Sequence, residues 1–178
     1  MPVAGHVGSD YPSLRPDFRV VANPFDSGQR VMVVPAIRPD VAIVHAIAAA
    51  PDGTLLLDHM EDDALLAQAS RVVIASAERI VPAAELRRTG AGVVLEGIHV
   101  TAVVDLPQGA HPTLVRGVRE IDAAHIREYI AAACDDESFR AWLARYVLGP
   151  KDHAGYLSEV RRRGAFEAPA PDARADDP

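Results

Sequence analysis

The sequence predicts an α/β fold, in which an open mixed sheet is followed by a helical C-terminal part and a disordered tail. In the first part of the chain, short β-branched runs alternate with helix-like segments, which is typical of open-sheet α/β proteins. Beyond about residue 120 the apolar residues recur at helical spacing instead. We therefore predict one domain over residues 1–163 and a tail over residues 164–178.

Six segments rich in β-branched and aliphatic residues predict strands. They cover residues 18–22, 30–34, 41–45, 54–57, 72–75 and 98–104. Segment 41–45 is almost continuously apolar, as in strands that are covered on both faces of a sheet. The pair Asp52-Gly53 is a strong turn signal just before segment 54–57.

Helix signals stand between and after these strands. The acidic residues 61–63 bring negative charge to a place where the dipole of a starting helix favours it, and Pro82 suits a first helical turn. Asp122 predicts the N-cap of a later helix. Its expected apolar face carries Ile126, Tyr129, Ile130 and Ala133. Asp135 or Asp136 opens the next helix, and a last one ends near residue 163.

The end of the chain has a different composition. It reads AFEAPAPDARADDP from residue 165, so alanine, proline and acidic residues dominate it. Such a segment cannot bury enough apolar surface to offset the entropy lost on ordering. This composition predicts the disordered tail.

Composition and charge exclude several classes of protein. A single cysteine, Cys134, rules out an internal disulfide framework and a cysteine-rich zinc site. The net charge of -7 disfavours nucleic-acid binding. The longest apolar run is too short to span a bilayer, and MPVAGHVGSD lacks the basic start and apolar core of a signal peptide. We therefore expect a cytoplasmic protein that binds neither nucleic acid nor membrane.

Cofactor motifs are missing from the sequence. It contains no GxGxxG, no phosphate-loop lysine motif and no GxSxG elbow. None of the seven histidines forms an i,i+4 pair with a matching acid. We therefore predict no bound cofactor and no metal site.

Two loops are candidates for ligand binding. In residues 5–10, glycines let the backbone approach a ligand, while Ser9 and Asp10 offer a donor and an acceptor. An ordinary turn closed by a serine or Asx cap is the alternative interpretation. His111 lies in a loop after the last predicted strand, and strand ends line ligand crevices in open α/β sheets. A surface histidine without a function is the alternative there.

Three further residues have two interpretations each. His45 ends an apolar strand and is either a core histidine with satisfied hydrogen bonds or part of a crevice. Arg116 and Arg119 either meet phosphate oxygens or are simply solvated.

Six stretches, taken in order, resemble the A subunit of the family I CoA-transferases, glutaconate CoA-transferase in particular. They are MPVAGHVGSD, PDFRVVANPF, VVPAIRPDVAIVHAIAAAPDGTLLL, EDDALLAQASRVVIASAERIV, VTAVVDLPQGAHPT and AWLARYVLGPKDHAGYL. The resemblance covers residues 1–160 and implies an open sheet of the CoA-transferase type. It corresponds to the C-terminal half of such a subunit only. Gln108 stands where the family commonly has a glycine, and Asp52-Gly53-Thr54 replaces a usual Gly-Asn pair.

The resemblance implies a role without the catalytic nucleophile. Family members form a glutamyl-CoA thioester on a glutamate of the B subunit, and no matching glutamate motif occurs here, so we expect no catalytic residue in this chain. The implied partners are the missing N-terminal half of the A subunit and a B-like subunit, with an acyl-CoA thioester as substrate. The implied substrate-binding residues are Gly8, Ser9, Asp10 and His111, which would hydrogen-bond the acyl carboxylate or the thioester carbonyl.

Two other functions stay open at this point. Relatives on the same scaffold act as decarboxylases or as ring-opening C–C hydrolases of CoA thioesters. The chain could also be a non-catalytic structural partner, because half a sheet leaves strand edges and an apolar face to be covered.

Overall fold

The computed structural model describes residues 2, 3 and 5–162 of the chain. The chain divides into two compact units, Met1–Asp40 and Val41–Pro178. The predicted boundary at residue 163 and the predicted tail lie outside the described residues. In the described part, no helix has the length and apolar character that a membrane span requires.

The first unit is built on an antiparallel sheet of three strands in the order β1-β3-β2. The strands are β1 (Pro2–Val3), β2 (Arg19–Asn23) and β3 (Asp26–Val33), and a short helix, α1 (Tyr11–Leu14), precedes β2. The hairpin of β2 and β3 contains a register shift at the turn. Both predicted strands of this region are present, and the second is longer at its start than the sequence pattern indicated.

The second unit contains a parallel sheet of three strands in the order β4-β7-β9. These are β4 (Val41–Ala46), β7 (Val72–Ala77) and β9 (Ala102–Asp105). Successive residues point to opposite faces, and alternate residues of β4 and β7 are buried on one face. The register places Ile43 beside Ile74 across the other face.

A second, antiparallel sheet of this unit has the order β5-β6-β8. Its strands are β5 (Ala48–Ala49), β6 (Leu55–Leu57) and β8 (Val93–Leu95). The predicted turn at Asp52-Gly53 joins the first two, with Gly53 at φ 88°, a value that suits glycine. The α/β class and the open sheets are as predicted, but parallel and antiparallel strands are separated into different sheets.

The main core of the second unit lies between these two sheets and the helix α2 (Asp63–Ala69). Small alanines of the parallel strands face large leucines of β6, so the sheets approach closely. Leu55 and Leu57 are fully buried, and each such side chain contributes about 1.5–3 kcal/mol through removal from water.

The remaining helices lie after β7 and at the end of the described chain. They are α3 (Ala83–Leu86), α4 (Ala123–Ala132), α5 (Asp136–Leu143) and α6 (His153–Arg162), with a π-helical turn at Ala144–Leu148 after α5. The predicted cap is confirmed at α4, where Asp122 accepts a hydrogen bond from the His125 N–H. Asp135 caps α5 through the Ser138 N–H.

The predicted strand 98–104 is wrong in its first half. Gly97–His99 forms a 3-10 turn, and β9 begins only at Ala102. The turn satisfies its own backbone, since the Val100 N–H donates to the Gly97 carbonyl. The β-branched run therefore never enters the ladder at its start, and Ile98 is 90% exposed.

The predicted apolar face of α4 is only partly correct: Ile126 is half-buried and Tyr129 contacts the Trp142 ring. Tyr129 and Ile130 are exposed, whereas His125 is buried. The helix turns this histidine toward the aromatic rings of Trp142 and Tyr146. The ring contacts of His125 determine which face of α4 is buried, and the spacing of aliphatic residues in the sequence does not predict such contacts.

Candidate substrate-binding site

The carboxyl edge of the parallel sheet gathers polar side chains of the second unit. His45 lies near the end of β4, Ser76 near the end of β7, and Glu78 directly after β7. The loop that follows β9, residues 106–113, lies over the same edge, because the Gln108 N–H donates to Glu78. Ligands of open α/β sheets bind at this edge.

His45 is fixed by two neighbours on β7 and after it. Nδ1 lies 2.8 Å from Ser76 Oγ, and Nε2 lies 3.1 Å from Glu78 Oε1. A carboxylate only accepts hydrogen bonds, so Nε2–H donates to Glu78 and Nδ1 accepts from the serine hydroxyl. The interpretation of His45 as a histidine with satisfied hydrogen bonds is confirmed, and it lies at the crevice as well.

Glu78 is the centre of this network. Its side chain is 6% exposed and pairs with the equally buried Arg119, at 3.1 Å from Nη2 to Oε2. Burial alone would raise the pKa of Glu78. The Gln108 N–H, the His45 imidazole and the Arg119 charge together outweigh burial and hold that pKa below its usual range.

The loop after β9 is packed tightly onto this network. Gln108 has φ 65°, in the left-handed region that favours glycine. A Cβ added at Gly109 would lie 2.9 Å from the Leu106 carbonyl oxygen and 3.0 Å from Cε1 of His45. The backbone can therefore approach His45 only because residue 109 has no side chain.

His111 is enclosed in a second polar cluster. Nε2–H donates to Asp122 Oδ2 at 3.2 Å, and Nδ1 accepts from the Tyr156 hydroxyl at 2.6 Å. The other oxygen of Asp122 accepts the His125 N–H, so the cap of α4 also holds His111. The His111 side chain is 1% exposed. His111 is thus a buried residue and not a surface residue.

A cleft of about 400 Å³ lies beside the two clusters in the second unit. His45, Thr113 and Arg116 line it together with three acidic residues. These are Asp58, Glu61 and Asp63. Arg116 is neither simply solvated nor unpaired, since it donates to Asp58 at 2.8 Å. The cleft is large enough for a small acyl group.

Two acidic side chains of the cleft have pKa values that are shifted in opposite directions. Partial burial, followed by the nearby carboxylates of Glu61, Asp58 and Asp62, raises the pKa of Asp63. Two backbone and side-chain donors, the Met60 N–H first and Arg116 after it, lower the pKa of Asp58 despite its burial. Among the described residues, no group of three or more histidine, cysteine or acidic side chains is arranged to hold a metal.

The other predicted site residues, Gly8, Ser9 and Asp10, lie in the first unit. The Ser9 hydroxyl donates to the His6 carbonyl at 2.7 Å and accepts from the Tyr11 N–H. Gly8 has open space where a Cβ would stand. These contacts match the turn interpretation locally, and binding of a substrate by Gly8, Ser9, Asp10 and His111 stays a prediction.

Sequence reasoning missed the pairing that organises the sheet edge. Glu78 could be placed there because it follows a predicted strand directly. Arg119 is 41 residues further along the chain and its pairing with Glu78 has no local signal. The same holds for Tyr156, which is 45 residues from His111.

Comparison with known proteins identifies relatives that share this sequence pattern. Residues 19–106 match the family model described as Coenzyme A transferase. The A subunit of glutaconate CoA-transferase from Acidaminococcus fermentans is 35% identical over 80% of this chain and 45% of its own length. The A subunit of 3-oxoadipate CoA-transferase from Pseudomonas knackmussii is 32% identical over 87% of this chain and 54% of its own length. The cholesterol ring-cleaving hydrolase IpdA subunit of Rhodococcus jostii is 28% identical over 91% of this chain and 57% of its own length.

Solved structures give the same relationship in three dimensions. Glutaconate coenzyme A-transferase from Acidaminococcus fermentans superposes with a TM-score of 0.77 and 31% identity, over 90% of this chain and 56% of that one. A variant of the decarboxylase AibA/AibB superposes with a TM-score of 0.62 and 33% identity, over 82% of this chain and 53% of that one. The chain spans about half the length of the curated relatives it matches.

The fold is an open-sheet α/β fold of the type found in glutaconate coenzyme A-transferase. The similarity of this chain is to the A subunits of the coenzyme A transferase family. The resemblance that the sequence pattern indicated is confirmed.

Proposed function

We propose that this chain is the part of a CoA-transferase-like complex that carries no nucleophile. The complex would move CoA between carboxylic acids through a glutamyl-CoA thioester on a B-like partner chain. The main support is the collinear similarity to the A subunits of two CoA-transferases, which includes the sheet edge and its loop.

In this proposal the chemistry balances across two half-reactions. A glutamate carboxylate of the partner takes CoA from the acyl-CoA donor, whose acyl group leaves as a free carboxylate. The acceptor carboxylate then takes CoA from the glutamyl thioester and regenerates the glutamate. Covalent catalysis divides one difficult transfer into two easier ones.

The geometry of Glu78 favours a positioning role for this residue. A nucleophilic carboxylate must present an oxygen to the thioester carbonyl. Both Glu78 oxygens accept hydrogen bonds instead, from His45, Arg119 and the Gln108 N–H. We therefore assign Glu78 to holding the loop after β9, and the nucleophile to the partner.

The proposed substrate contacts of this chain are Gly8, Ser9, Asp10 and His111. The open space around Gly8 and the exposed Ser9 hydroxyl suit the approach of a ligand. The Nε2–H of His111 donates to Asp122, and the activity of the His111→Ala variant tests whether this histidine also binds the acyl group. The partners in this proposal are the B-like subunit, the remaining half of the A subunit, and acyl-CoA.

The proposal is tested by an acyl-CoA transfer assay on the assembled complex. We expect CoA to appear on a second carboxylic acid only when that acid is supplied. Ser9→Ala and His111→Ala should each lower kcat/KM at least about tenfold, since each removes a hydrogen bond made in the transition state. Ser13→Ala is the matched control, because the hydroxyl of Ser13, an exposed residue of α1, also donates to a backbone carbonyl three residues earlier. Unchanged rates for both site variants would remove both residues from the site.

A second function is favoured by two of the relatives. One solved structure is a decarboxylase and one relative is a ring-cleaving hydrolase, and both match most of this chain. In this alternative the same scaffold breaks a C–C bond of a CoA thioester. Product analysis separates the two, because CO₂ or a ring-opened thioester forms without any acceptor acid.

A further inference from the structure

The helix α6 presents one face to the loop after β9. Four residues share that face through the helical spacing i, i+3, i+4 and i+7, namely His153, Tyr156, Leu157 and Val160. Val160 is only 6% exposed, although α6 is the last helix of the described chain. The two aliphatic residues of this face line a cavity of about 120 Å³ together with Gln108 and His111 of the loop. The loop therefore has the sheet edge on one side and α6 on the other.

Two hydrogen bonds tie α6 to this loop. Nε2 of His153 lies 2.9 Å from the Pro107 carbonyl oxygen, and since a carbonyl oxygen only accepts, Nε2–H is the donor. The Tyr156 hydroxyl donates to Nδ1 of His111 at 2.6 Å. The first hydrogen bond holds the start of the loop and the second holds its end.

The internal hydrogen bonds of the loop are local. The Gly109 N–H donates to the Leu106 carbonyl and the His111 N–H donates to the Gln108 carbonyl, each across three residues. A loop with such local hydrogen bonds opens easily unless other elements hold it. The left-handed φ of Gln108 adds to this requirement, because a strained backbone persists only where its surroundings fix it. Glu78 fixes the loop from the sheet side and α6 from the other side.

The imidazole of His111 is held at both ring nitrogens. Asp122 accepts from Nε2–H and thereby determines which nitrogen carries the proton. Tyr156 engages the opposite nitrogen and fixes the rotation of the ring, since one hydrogen bond alone lets a ring pivot about its partner. The described lining of the cleft of about 400 Å³ includes Thr113 but not Tyr156. Tyr156 can therefore influence a substrate in that cleft only through the residues that it holds.

We propose that Tyr156 is a positioning residue of the candidate site. It fixes His111 and, together with His153, holds the loop after β9 in the geometry that thioester transfer requires. This inference rests on the proposed function. Positioning affects the rate because a displacement of about 1 Å at a reacting site can cost about 100-fold. The Tyr156 hydroxyl should therefore affect kcat, whereas KM should change little.

Steady-state kinetics of the assembled complex with Tyr156→Phe tests the proposal, since this variant keeps the ring and removes only the hydroxyl. We expect kcat to fall at least about tenfold and KM to change less than about twofold. Tyr146→Phe is the matched control. Its hydroxyl donates to Glu128 at 3.0 Å, and its ring contacts His125 as the ring of Tyr156 does. This control should leave kcat within about twofold of wild type.

A double-mutant cycle distinguishes positioning from a general structural role. In the His111→Ala background, the addition of Tyr156→Phe should cause no further loss of kcat, because the hydroxyl acts through an imidazole that is already absent. Two independent effects on packing would multiply instead.

Amide hydrogen exchange reports on the loop without any need for transfer activity. Peptides that contain residues 106–113 should exchange at least about tenfold faster in Tyr156→Phe than in wild type, and at the wild-type rate in Tyr146→Phe. His153→Ala removes the tie at the start of the loop and should also speed this exchange. This second variant judges the proposal even if Tyr156→Phe folds poorly.

Three results overturn the proposal. These are a kcat of Tyr156→Phe within about twofold of wild type, losses that multiply in the cycle, and unchanged exchange of the loop. A wild-type complex without transfer contradicts the proposed function, and the exchange result alone then decides whether Tyr156 holds the loop.

Discussion

Glu78 is a carboxyl group on which burial and pairing act in opposite directions. Removal from water opposes its charge, and its donors favour that charge more strongly. A buried ion pair of this kind costs about 3–5 kcal/mol when one partner is lost, because the other charge stays buried without compensation. The role of Glu78 is therefore to position Arg119 and the loop after β9, both of which donate hydrogen bonds to it.

Glu78→Gln should lower the free energy of unfolding at pH 7 by about 3 kcal/mol. The difference from wild type should shrink with acid. A folded pKa below the unfolded value means that the stabilisation is full above the unfolded pKa and is lost as the pH falls through the folded pKa. Urea unfolding between pH 7 and pH 3 measures this.

Glu96→Gln is the matched control for that experiment. Glu96 also pairs with an arginine, accepting from Nε and Nη2 of Arg87, but both side chains are about half exposed. Exposed pairs contribute little, so this variant should differ far less from wild type at every pH. Equal losses for the two variants would show that the Glu78 network is not held by burial.

Gln108 is a residue whose backbone departs from its own preference. The resemblance marked it as a replacement for a glycine, and its φ of 65° gives the physical reason for that glycine. Gln108→Gly should therefore raise the free energy of unfolding by about 0.5–1 kcal/mol, since relief of the left-handed strain exceeds the added chain entropy. In the helix α2, Gln68→Gly should instead lower it by about 1 kcal/mol. Thermal unfolding of the two variants compares them, and destabilisation by both would contradict this interpretation.

Among the helices and strands, buried apolar runs were the most predictable. The strands 41–45 and 72–75 could be read from the sequence because both are continuous apolar runs. They form neighbouring strands of the parallel sheet, each buried on one face, although the pattern of 41–45 indicated burial on both faces. The 3-10 turn at Gly97–His99 could not, because its β-branched neighbours favour a strand and only the local hydrogen bonds decide against it. The face of α4 depends on rings supplied by α5 and the π-helical turn, which no local pattern contains.

The capping of α4 connects an element to the candidate site. One oxygen of Asp122 accepts the His125 N–H, and the other accepts from His111. Asp122→Ala should therefore lower the free energy of unfolding by about 2 kcal/mol or more, through the lost cap and the unsatisfied donor of a buried imidazole.

Asp135→Ala removes a cap of the same type from α5 without a buried histidine, so its loss should be smaller. Chemical denaturation gives both values. The imidazole resonances of His111, observed by NMR, should shift only in the Asp122 variant. Equal losses of unfolding free energy in the two variants, or unchanged His111 resonances in the Asp122 variant, would show that the cap of α4 does not hold His111.

At the scale of the whole molecule, the second unit has a well-packed core, but it also exposes apolar side chains on one face of its parallel sheet. This unit buries a set of alanines and leucines between two sheets, while one face of the parallel sheet stays open. The similarity to the A subunits of CoA-transferases could be predicted from an ordered series of short stretches, although no single motif among them is diagnostic. The location of the apolar face could not, because it follows from the lateral register of three strands.

The central claim is that the attacking carboxylate belongs to another polypeptide. Intact-mass spectrometry of the assembled complex tests this most directly, after incubation with acyl-CoA in the absence of an acceptor acid. We predict that a partner chain gains the mass of CoA less one water, as a glutamyl thioester does, and that the mass of this chain does not change. CoA bound covalently to this chain, at Glu78 or any other residue, would contradict the claim.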